Sequence, residues 1–219
     1  MHPEFWNERW RNRQIGFHQS APHPFLERWW PSLGVNPGAR VYVPLCGKSL
    51  DMVWLAVRGY DVVGSEISKL AVEEFFGEQQ RADVSIESRG PYDVHRAGHY
   101  EVLQGDAMQL TPALLGPIQA SYDRAALVAL PPSMREAYAQ SFARLMPHGS
   151  RTLLVAFEYA QQVKEGPPFS VEPDEVQRLY GVTFRVDVLE RVDIIDESPR
   201  VAAAGLDALF DVAYALTRS

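Results

Sequence analysis

The sequence predicts a single α/β domain in which helices cover both faces of a mostly parallel, seven-stranded sheet. Short apolar runs alternate with helix-like segments over the first two thirds of the chain, and this rhythm predicts right-handed crossovers between parallel strands. Two later runs alternate apolar and polar residues, which indicates an antiparallel C-terminal hairpin at a sheet edge. The 219 residues can bury a sizeable core. We see no linker or repeat, and we therefore predict one domain over residues 1–219.

Seven runs are predicted to form the strands. The parallel strands are expected at residues 41–43, 61–66, 100–104, 120–123 and 152–157, and the hairpin at residues 184–188 and 210–216. Short runs rich in valine, leucine and aromatic side chains are typical of buried strands. The stretch from residue 79 to residue 98 is polar, and we predict a loop there.

Serine residues are predicted to begin three of the helices. Ser49 and Ser68 each precede an apolar helical stripe and suit the N-cap position. Ser133 is predicted to form a capping box with Glu136, since the sequence reads SMRE at the start of a strong helical pattern. Gly59 suits the C-terminal cap of the helix that begins after Ser49.

Composition and charge exclude several classes of protein. No apolar run approaches the length of a membrane span, and the aromatic, charged N-terminus lacks the apolar core of a secretion signal. The single cysteine, Cys46, excludes an internal disulfide and a zinc site built on thiolates. The net charge of −7 and the lack of a long basic stretch argue against nucleic acid and membrane partners. We expect a cytoplasmic monomer that acts on a small molecule.

The turn after the first strand, PLCGKS, is the first place to expect chemistry, because open α/β sheets bind ligands beyond the carboxyl ends of their strands. Gly47 lets the backbone approach a ligand, and Leu45 is placed to flank an adenosyl group. Glu66 ends the second strand about 20 residues later, where an acid commonly accepts hydrogen bonds from ribose hydroxyls. Asp106 and Ala107 follow the third strand, in position for an adenine. Each residue alone fits an ordinary turn, but their order and spacing together favour an adenosyl site.

Two other cofactor classes fit this turn less well. A phosphate-binding loop needs a glycine where Tyr42 stands, so the GKS triplet does not indicate a nucleoside triphosphatase. A dinucleotide site usually shows G-x-G-x-x-G, and this turn has one glycine. Metal binding is not expected either, because Pro22 and Gly98 interrupt the two histidine pairs and no acidic or thiol partner completes a set. We interpret Cys46 as a small turn residue.

Longer motifs resemble a known family. VPLCGKSLDMVWLAVRGYDVVGSEIS, YDRAALVALPP and GPPFSV are similar to the thiopurine S-methyltransferase family, and the similarity runs from WNERWRNRQIGFHQ to LFDVAYALT. The resemblance implies a Rossmann-like class I methyltransferase fold. It also implies transfer of a methyl group from S-adenosylmethionine to the sulfur of aromatic and heterocyclic thiols such as thiopurines.

The resemblance also implies roles for individual positions. Those that match the family's cofactor site are Trp10, Leu45, Glu66 and Arg124, with Asp106 and Ala107 beside the adenine. Those that match its acceptor side are Phe17, Pro168, Arg124 and Arg200. The chain departs from animal relatives before the third strand and at residues 196–204, the segment that carries Arg200.

Arg124 and Arg200 are the candidate catalytic residues. An aromatic thiol ionises near neutrality, so no strong base is required, and an arginine charge is expected to favour the anionic sulfur. The same arginines would suit selenium or tellurium compounds, whose methylation, as a detoxification, is an alternative function. A binding module that holds S-adenosylmethionine and catalyses nothing is a second alternative.

Residues 1–35 are predicted to form a helical lid over the site. Trp6, Trp10 and Phe17 lie on an amphipathic helix and at its exit, before the first strand. Such a lid would sequester the cofactor and exclude water. Simple docking of these rings onto the domain surface is the alternative.

Overall fold

The computed structural model describes residues 3–163, 165–197 and 205–219. These residues form nine strands: β1 Arg40–Val43, β2 Asp61–Glu66, β3 Ser85–Arg89, β4 Tyr92–Ala97, β5 Tyr100–Gln104, β6 Ala120–Arg124, β7 Arg151–Glu158, β8 Phe184–Asp193 and β9 Phe210–Arg218. One sheet contains them all, in the order β3-β4-β5-β2-β1-β6-β7-β9-β8. The five strands from β5 to β7 in this order are parallel, and β9 pairs antiparallel with both β7 and β8. The predicted parallel core and closing hairpin are therefore confirmed.

Helices cover both faces of the sheet, as predicted. The described residues contain α1 Pro3–Arg11, α2 Pro24–Trp29, α3 Leu50–Val57, α4 Lys69–Glu78, α5 Pro112–Leu115, α6 Pro132–Leu145 and α7 Pro173–Tyr180. One apolar cluster joins α2, α3 and α4 to the sheet, and a second joins α5, α6 and α7 to the opposite face. No helix among the described residues is both long and apolar enough to cross a membrane.

The loop predicted for residues 79–98 is wrong over most of its length, because β3 and β4 form an antiparallel hairpin there that raises the strand count from seven to nine. The edge strand β3 is exposed along most of its length and is held by charge. Arg96 on β4 lies 2.7 Å from Glu87 on β3 and 2.7 Å from Glu101 on β5. A strand stabilised by ion pairs carries no apolar alternation, which is why the sequence pattern missed it.

Helix starts agree with the sequence in two cases of three. The Ser49 hydroxyl accepts a hydrogen bond from the Asp51 amide, and the Ser68 hydroxyl accepts one from Ala71. The predicted capping box at Ser133 is wrong, because α6 begins at Pro132 and its N-cap, Pro131, makes no side-chain cap bond. Proline suits the first helical position, since its ring presets φ and no backbone donor is lost there.

The topology gathers the functional candidates at one edge of the sheet. Parallel strands place their carboxyl ends together, so the turns after β1, β2, β5 and β6 lie side by side. The chain from α1 to α2 lies over this edge, since it lines the same cavity as those turns.

Candidate active site

A cavity of about 980 Å³ opens at the carboxyl edge of the sheet. It is large enough for a cofactor together with a small acceptor. The site residues predicted from the sequence that fall within the described part of the chain all line it: Trp10, Phe17, Leu45, Gly47, Glu66, Asp106, Ala107, Arg124 and Pro168. Arg200 lies outside the described residues.

The turn after β1 is held in an unusual backbone conformation. Leu45 has φ of 46° and Gly47 has φ of 52°, both in the left-handed region that favours glycine. A Cβ on Gly64 of β2 would lie 2.6 Å from Sγ of Cys46, so that glycine gives the turn room to approach the next strand. Burial and the nearby Glu66 charge raise the pKa of the Cys46 thiol, which therefore stays protonated and acts as a packing group.

The Glu66 carboxylate joins two turns of the site. One oxygen accepts a hydrogen bond of 2.9 Å from the Gly47 amide, and the other accepts one of 2.7 Å from the Ser68 amide. Burial raises the pKa of Glu66, and the backbone hydrogen bonds partly offset that effect. Each carboxylate oxygen can accept a second hydrogen bond, so the residue can still receive a ligand hydroxyl.

Asp106 begins the short turn after β5. Its side chain accepts hydrogen bonds of 2.9 Å from the Met108 amide and 3.0 Å from the Gln109 side chain, while the Tyr92 hydroxyl donates to its carbonyl. Ala107 follows as the first residue of this turn. Both residues are thus fixed beside the cavity by the local chain.

Helix α1 and the segment after it close the cavity above the strand ends. Trp10 is 2% exposed, and a Cβ on Gly47 would lie 3.0 Å from its ring. The Phe17 ring meets Trp10 and Trp6 edge-on, with centroids 5.7 Å and 5.8 Å away. Arg13 forms an ion pair with Glu74 of α4, which ties the exit of α1 to the body of the domain.

Two acceptor-side candidates reach the cavity, one from the end of β6 and one from the loop after β7. Arg124 ends β6, and its Nη1 donates a hydrogen bond of 3.1 Å to the Phe17 carbonyl. Pro168 lies in the loop after β7, where its carbonyl accepts a hydrogen bond of 2.6 Å from the Tyr159 hydroxyl.

Several cavity residues were missed from the sequence. His18 follows Phe17, and burial together with the Lys48 and Arg124 charges lowers its pKa. Lys48 lies 2.9 Å from Glu74 and 2.5 Å from Glu78. Lys48 is the lysine of the GKS triplet, which resembles part of a phosphate-binding loop. Its ion pairs with Glu74 and Glu78 instead connect the turn after β1 (the cofactor turn) to α4.

A group of buried polar residues also lines the cavity without any local sequence signal. It consists of His23, Asp51, Tyr122 and Asp211, which come from four separate parts of the chain. Within the described ranges, no group of three or more histidine, cysteine and acidic residues is arranged to hold a metal ion.

The comparison with protein families decides the class of this site. The family model described as thiopurine S-methyltransferase matches residues 1–219. The chain belongs to the thiopurine S-methyltransferase family. A relative of that name from Azotobacter vinelandii is 45% identical over 218 residues, covering 100% of both chains. Another, from Pseudomonas fluorescens, is 47% identical over 214 residues, covering 98% of both.

Solved structures share the fold at low sequence identity. The 1,6-didemethyltoxoflavin-N1-methyltransferase of Burkholderia thailandensis, solved with 1,6-didemethyltoxoflavin and S-adenosylhomocysteine, has a TM-score of 0.65 and 13% identity, covering 99% of this chain and 87% of its own. The magnesium protoporphyrin IX methyltransferase of Synechocystis, solved with S-adenosylmethionine, has a TM-score of 0.65 and 15% identity, covering 99% and 95%. The predicted Rossmann-like class I methyltransferase fold is confirmed, and family membership confirms the predicted class of enzyme, a methyltransferase dependent on S-adenosylmethionine.

Proposed function

We propose that this protein transfers a methyl group from S-adenosylmethionine to the sulfur of aromatic and heterocyclic thiols such as thiopurines. The observation that carries the proposal is a single cavity in which Glu66 and Asp106 face the same space as Arg124 and Phe17. The name thiopurine S-methyltransferase, shared by relatives at 45% and 47% identity, supports the class of acceptor.

The residues of this chain suit an adenosyl cofactor. Gly47 lets the Trp10 ring pack closely on the turn after β1, since a Cβ there would lie 3.0 Å from that ring. Glu66 keeps acceptor capacity for ribose hydroxyls, and Asp106 is held at the cavity wall, in reach of an adenine amino group. We assign Trp10, Leu45, Gly47, Glu66, Asp106, Ala107 and Arg124 to the cofactor half.

The chain supplies alignment and charge to the reaction. When bound, S-adenosylmethionine supplies an electrophilic methyl group that a sulfur nucleophile displaces in line. The Arg124 guanidinium has five N–H donors, and within the described residues one of them bonds to the Phe17 carbonyl. Its remaining donors favour an anionic sulfur over the neutral thiol and hold it in place. We assign Phe17 and Pro168, which line the cavity, to the acceptor half. Arg200, which the sequence also assigns to the acceptor, lies outside the described residues.

We also propose that the segment around α1 works as a lid. The Trp10 and Phe17 rings cover the cofactor turn, and the Arg13–Glu74 ion pair and the Arg124–Phe17 hydrogen bond hold them there. Release of these contacts would open the cavity to solvent, whereas closure would exclude water from the reacting sulfur atoms.

Transfer of an isotope-labelled methyl group to a panel of thiols and to selenite and tellurite tests the proposal. We expect labelled product from aromatic and heterocyclic thiols. Arg124→Ala should lower kcat/KM about tenfold or more and move the rising limb of the pH profile upward, while Arg144→Ala, an exposed change on α6, should not. Product from the oxyanions alone would favour the chalcogen alternative, and cofactor binding without any product would favour a binding module.

A further inference from the structure

A buried polar group forms part of the cavity wall away from the cofactor turn. His23 and Asp211 are each 8% exposed, and Asp51 and Tyr122 are buried more completely. All four line the cavity. Tyr122 lies two residues before Arg124 on β6, so both side chains leave the same face of the sheet.

The contacts of His23 fix the state of its ring. Its Nδ1 accepts a hydrogen bond of 3.2 Å from the Phe25 amide, so the proton of the neutral imidazole is assigned to Nε2. Nε2 lies 3.3 Å from Oδ2 of Asp211. The His23 amide also donates a hydrogen bond of 2.7 Å to Asp51. The histidine is therefore fixed in place next to the Asp211 carboxylate.

The second oxygen of Asp211 is left over. Oδ1 is buried and accepts no hydrogen bond from any of the described residues. Buried acceptors are almost always paired, since leaving one unpaired is costly. Asp211 lines the cavity, so its carboxylate is placed to accept a hydrogen bond from a ligand N–H group.

We propose that the Asp211 carboxylate accepts a hydrogen bond from a ring N–H of the methyl acceptor, and that this contact selects N–H-bearing heterocyclic thiols over ring systems without that donor. The inference rests on the proposed function and adds a specificity residue to it. The ring N–H in question is one that remains after the thiol has lost its own proton, so it is still present when the sulfur is anionic.

The surroundings of Asp211 support a flat, polar-edged ring. Five apolar residues line the same cavity as Asp211: Phe25, Val192, Ile194, Leu206 and Leu209. Burial and the Asp51 charge raise the pKa of Tyr122, so its hydroxyl keeps its proton. Arg124 supplies the positive charge for the sulfur, and Asp211 the negative charge for the N–H. The cavity thus presents one positive and one negative side chain to the acceptor.

A matched pair of acceptors tests the proposal. The anion of 2-mercaptobenzimidazole keeps one ring N–H, whereas the anion of 2-mercaptobenzoxazole has an oxygen in its place and almost the same shape. We expect Asp211→Asn, which turns an N–H donor toward the ring, to lower the ratio of kcat/KM for the benzimidazole to that for the benzoxazole by about tenfold or more. Asp187→Asn removes the same charge from the neighbouring strand outside the cavity and should leave the ratio unchanged.

A second measurement needs no variant and no ionisable thiol. The methylated products of the two acceptors should inhibit the wild-type enzyme with inhibition constants that differ by about tenfold or more, the benzimidazole product binding more tightly. Equal inhibition by the two products, or an unchanged ratio in a folded Asp211→Asn protein, would overturn the proposal. Failure of the wild type to methylate either thiol would count against the proposed function alone, because the product comparison would still measure recognition of the N–H.

Discussion

The Glu66 carboxylate connects two turns of the proposed cofactor site. Its two oxygens hold the amides of Gly47 and Ser68, so the turns after β1 and β2 keep a fixed separation. A sequence pattern could place an acid at the end of β2, because that position follows from the strand order. The second task of the residue, bridging two turns, could not be predicted, since it depends on backbone amides whose directions only the folded chain defines.

We expect Glu66→Gln to weaken binding of S-adenosylhomocysteine about tenfold and to lower the free energy of unfolding by about 1–3 kcal/mol, because the new amide group faces a backbone donor. Burial raises the pKa of Glu66. The affinity of the wild type for S-adenosylhomocysteine should therefore fall on acidification, beginning at a higher pH than for a glutamate of ordinary pKa. The affinity of the variant should show no such fall. Calorimetric titration across pH measures both effects. Glu136→Gln, an exposed change on α6, is the control, and an equal response of the two variants would count against this role.

Ionisation of the buried Asp123 side chain lowers the stability of the folded protein. It accepts a hydrogen bond of 2.7 Å from Tyr138, and burial raises its pKa to about 6. A raised folded-state pKa favours the folded protein at low pH, and this contribution is lost as the pH rises through about 6. The free energy of unfolding of the wild type should therefore fall relative to Asp123→Asn by about 2–3 kcal/mol between about pH 4 and about pH 7.

Urea denaturation of both proteins at several pH values checks the prediction for Asp123. Asp93→Asn, an exposed change on β4, is the matched control and should run parallel to the wild type. A constant difference between the wild type and Asp123→Asn across this range would contradict the prediction.

Gly47 and Gly34 form a natural pair for testing the Trp10 contact. Both have positive φ, but a Cβ would meet Trp10 at Gly47 and nothing within 4 Å at Gly34. Alanine at either position should cost about 1 kcal/mol in backbone strain. Only Gly47→Ala should also shift the tryptophan emission and weaken S-adenosylhomocysteine binding about tenfold. Equal emission and affinity in the two variants would show that the ring does not rest on this turn.

The ion pairs of Lys48 connect the turn after β1 to helix α4. Lys48 is 7% exposed at its side chain and meets Glu74 and Glu78. Lys48→Met should lower the free energy of unfolding by about 1–3 kcal/mol. Lys69→Met removes an exposed pair on the same helix and should change it by about 0.5 kcal/mol or less. Chemical denaturation compares the two variants, and similar losses would contradict a specific role of these ion pairs.

The elements that the sequence predicted are those that bury apolar side chains. The central strands and the α6 stripe of Tyr138, Phe142 and Leu145 were read from apolar periodicity, because burial itself imposes that pattern. The β3–β4 hairpin was missed because ion pairs of Arg96 with Glu87 and Glu101 replace apolar contacts at this edge. The start of α6 was misplaced because a proline, and not a serine side chain, begins the helix.

For the molecule as a whole, the sequence could predict which residues meet only where they follow neighbouring parallel strands. Turns after neighbouring strands meet at one edge in any such sheet, so the residues of the PLCGKS turn and Asp106 could be grouped from the sequence alone. Asp211 and His23 could not, because they come from β9 and from the chain before α2 and meet only through tertiary packing. Selectivity for the acceptor is therefore the part of the account that depends most on the structure.

We propose that the cavity at the carboxyl edge of the sheet holds S-adenosylmethionine beside a thiol acceptor. Titration calorimetry of the wild-type protein with S-adenosylmethionine tests the first half of this proposal directly. We expect saturable binding with one cofactor per chain, weakened about tenfold by Glu66→Gln. Absence of saturable binding to the folded wild type would contradict the account.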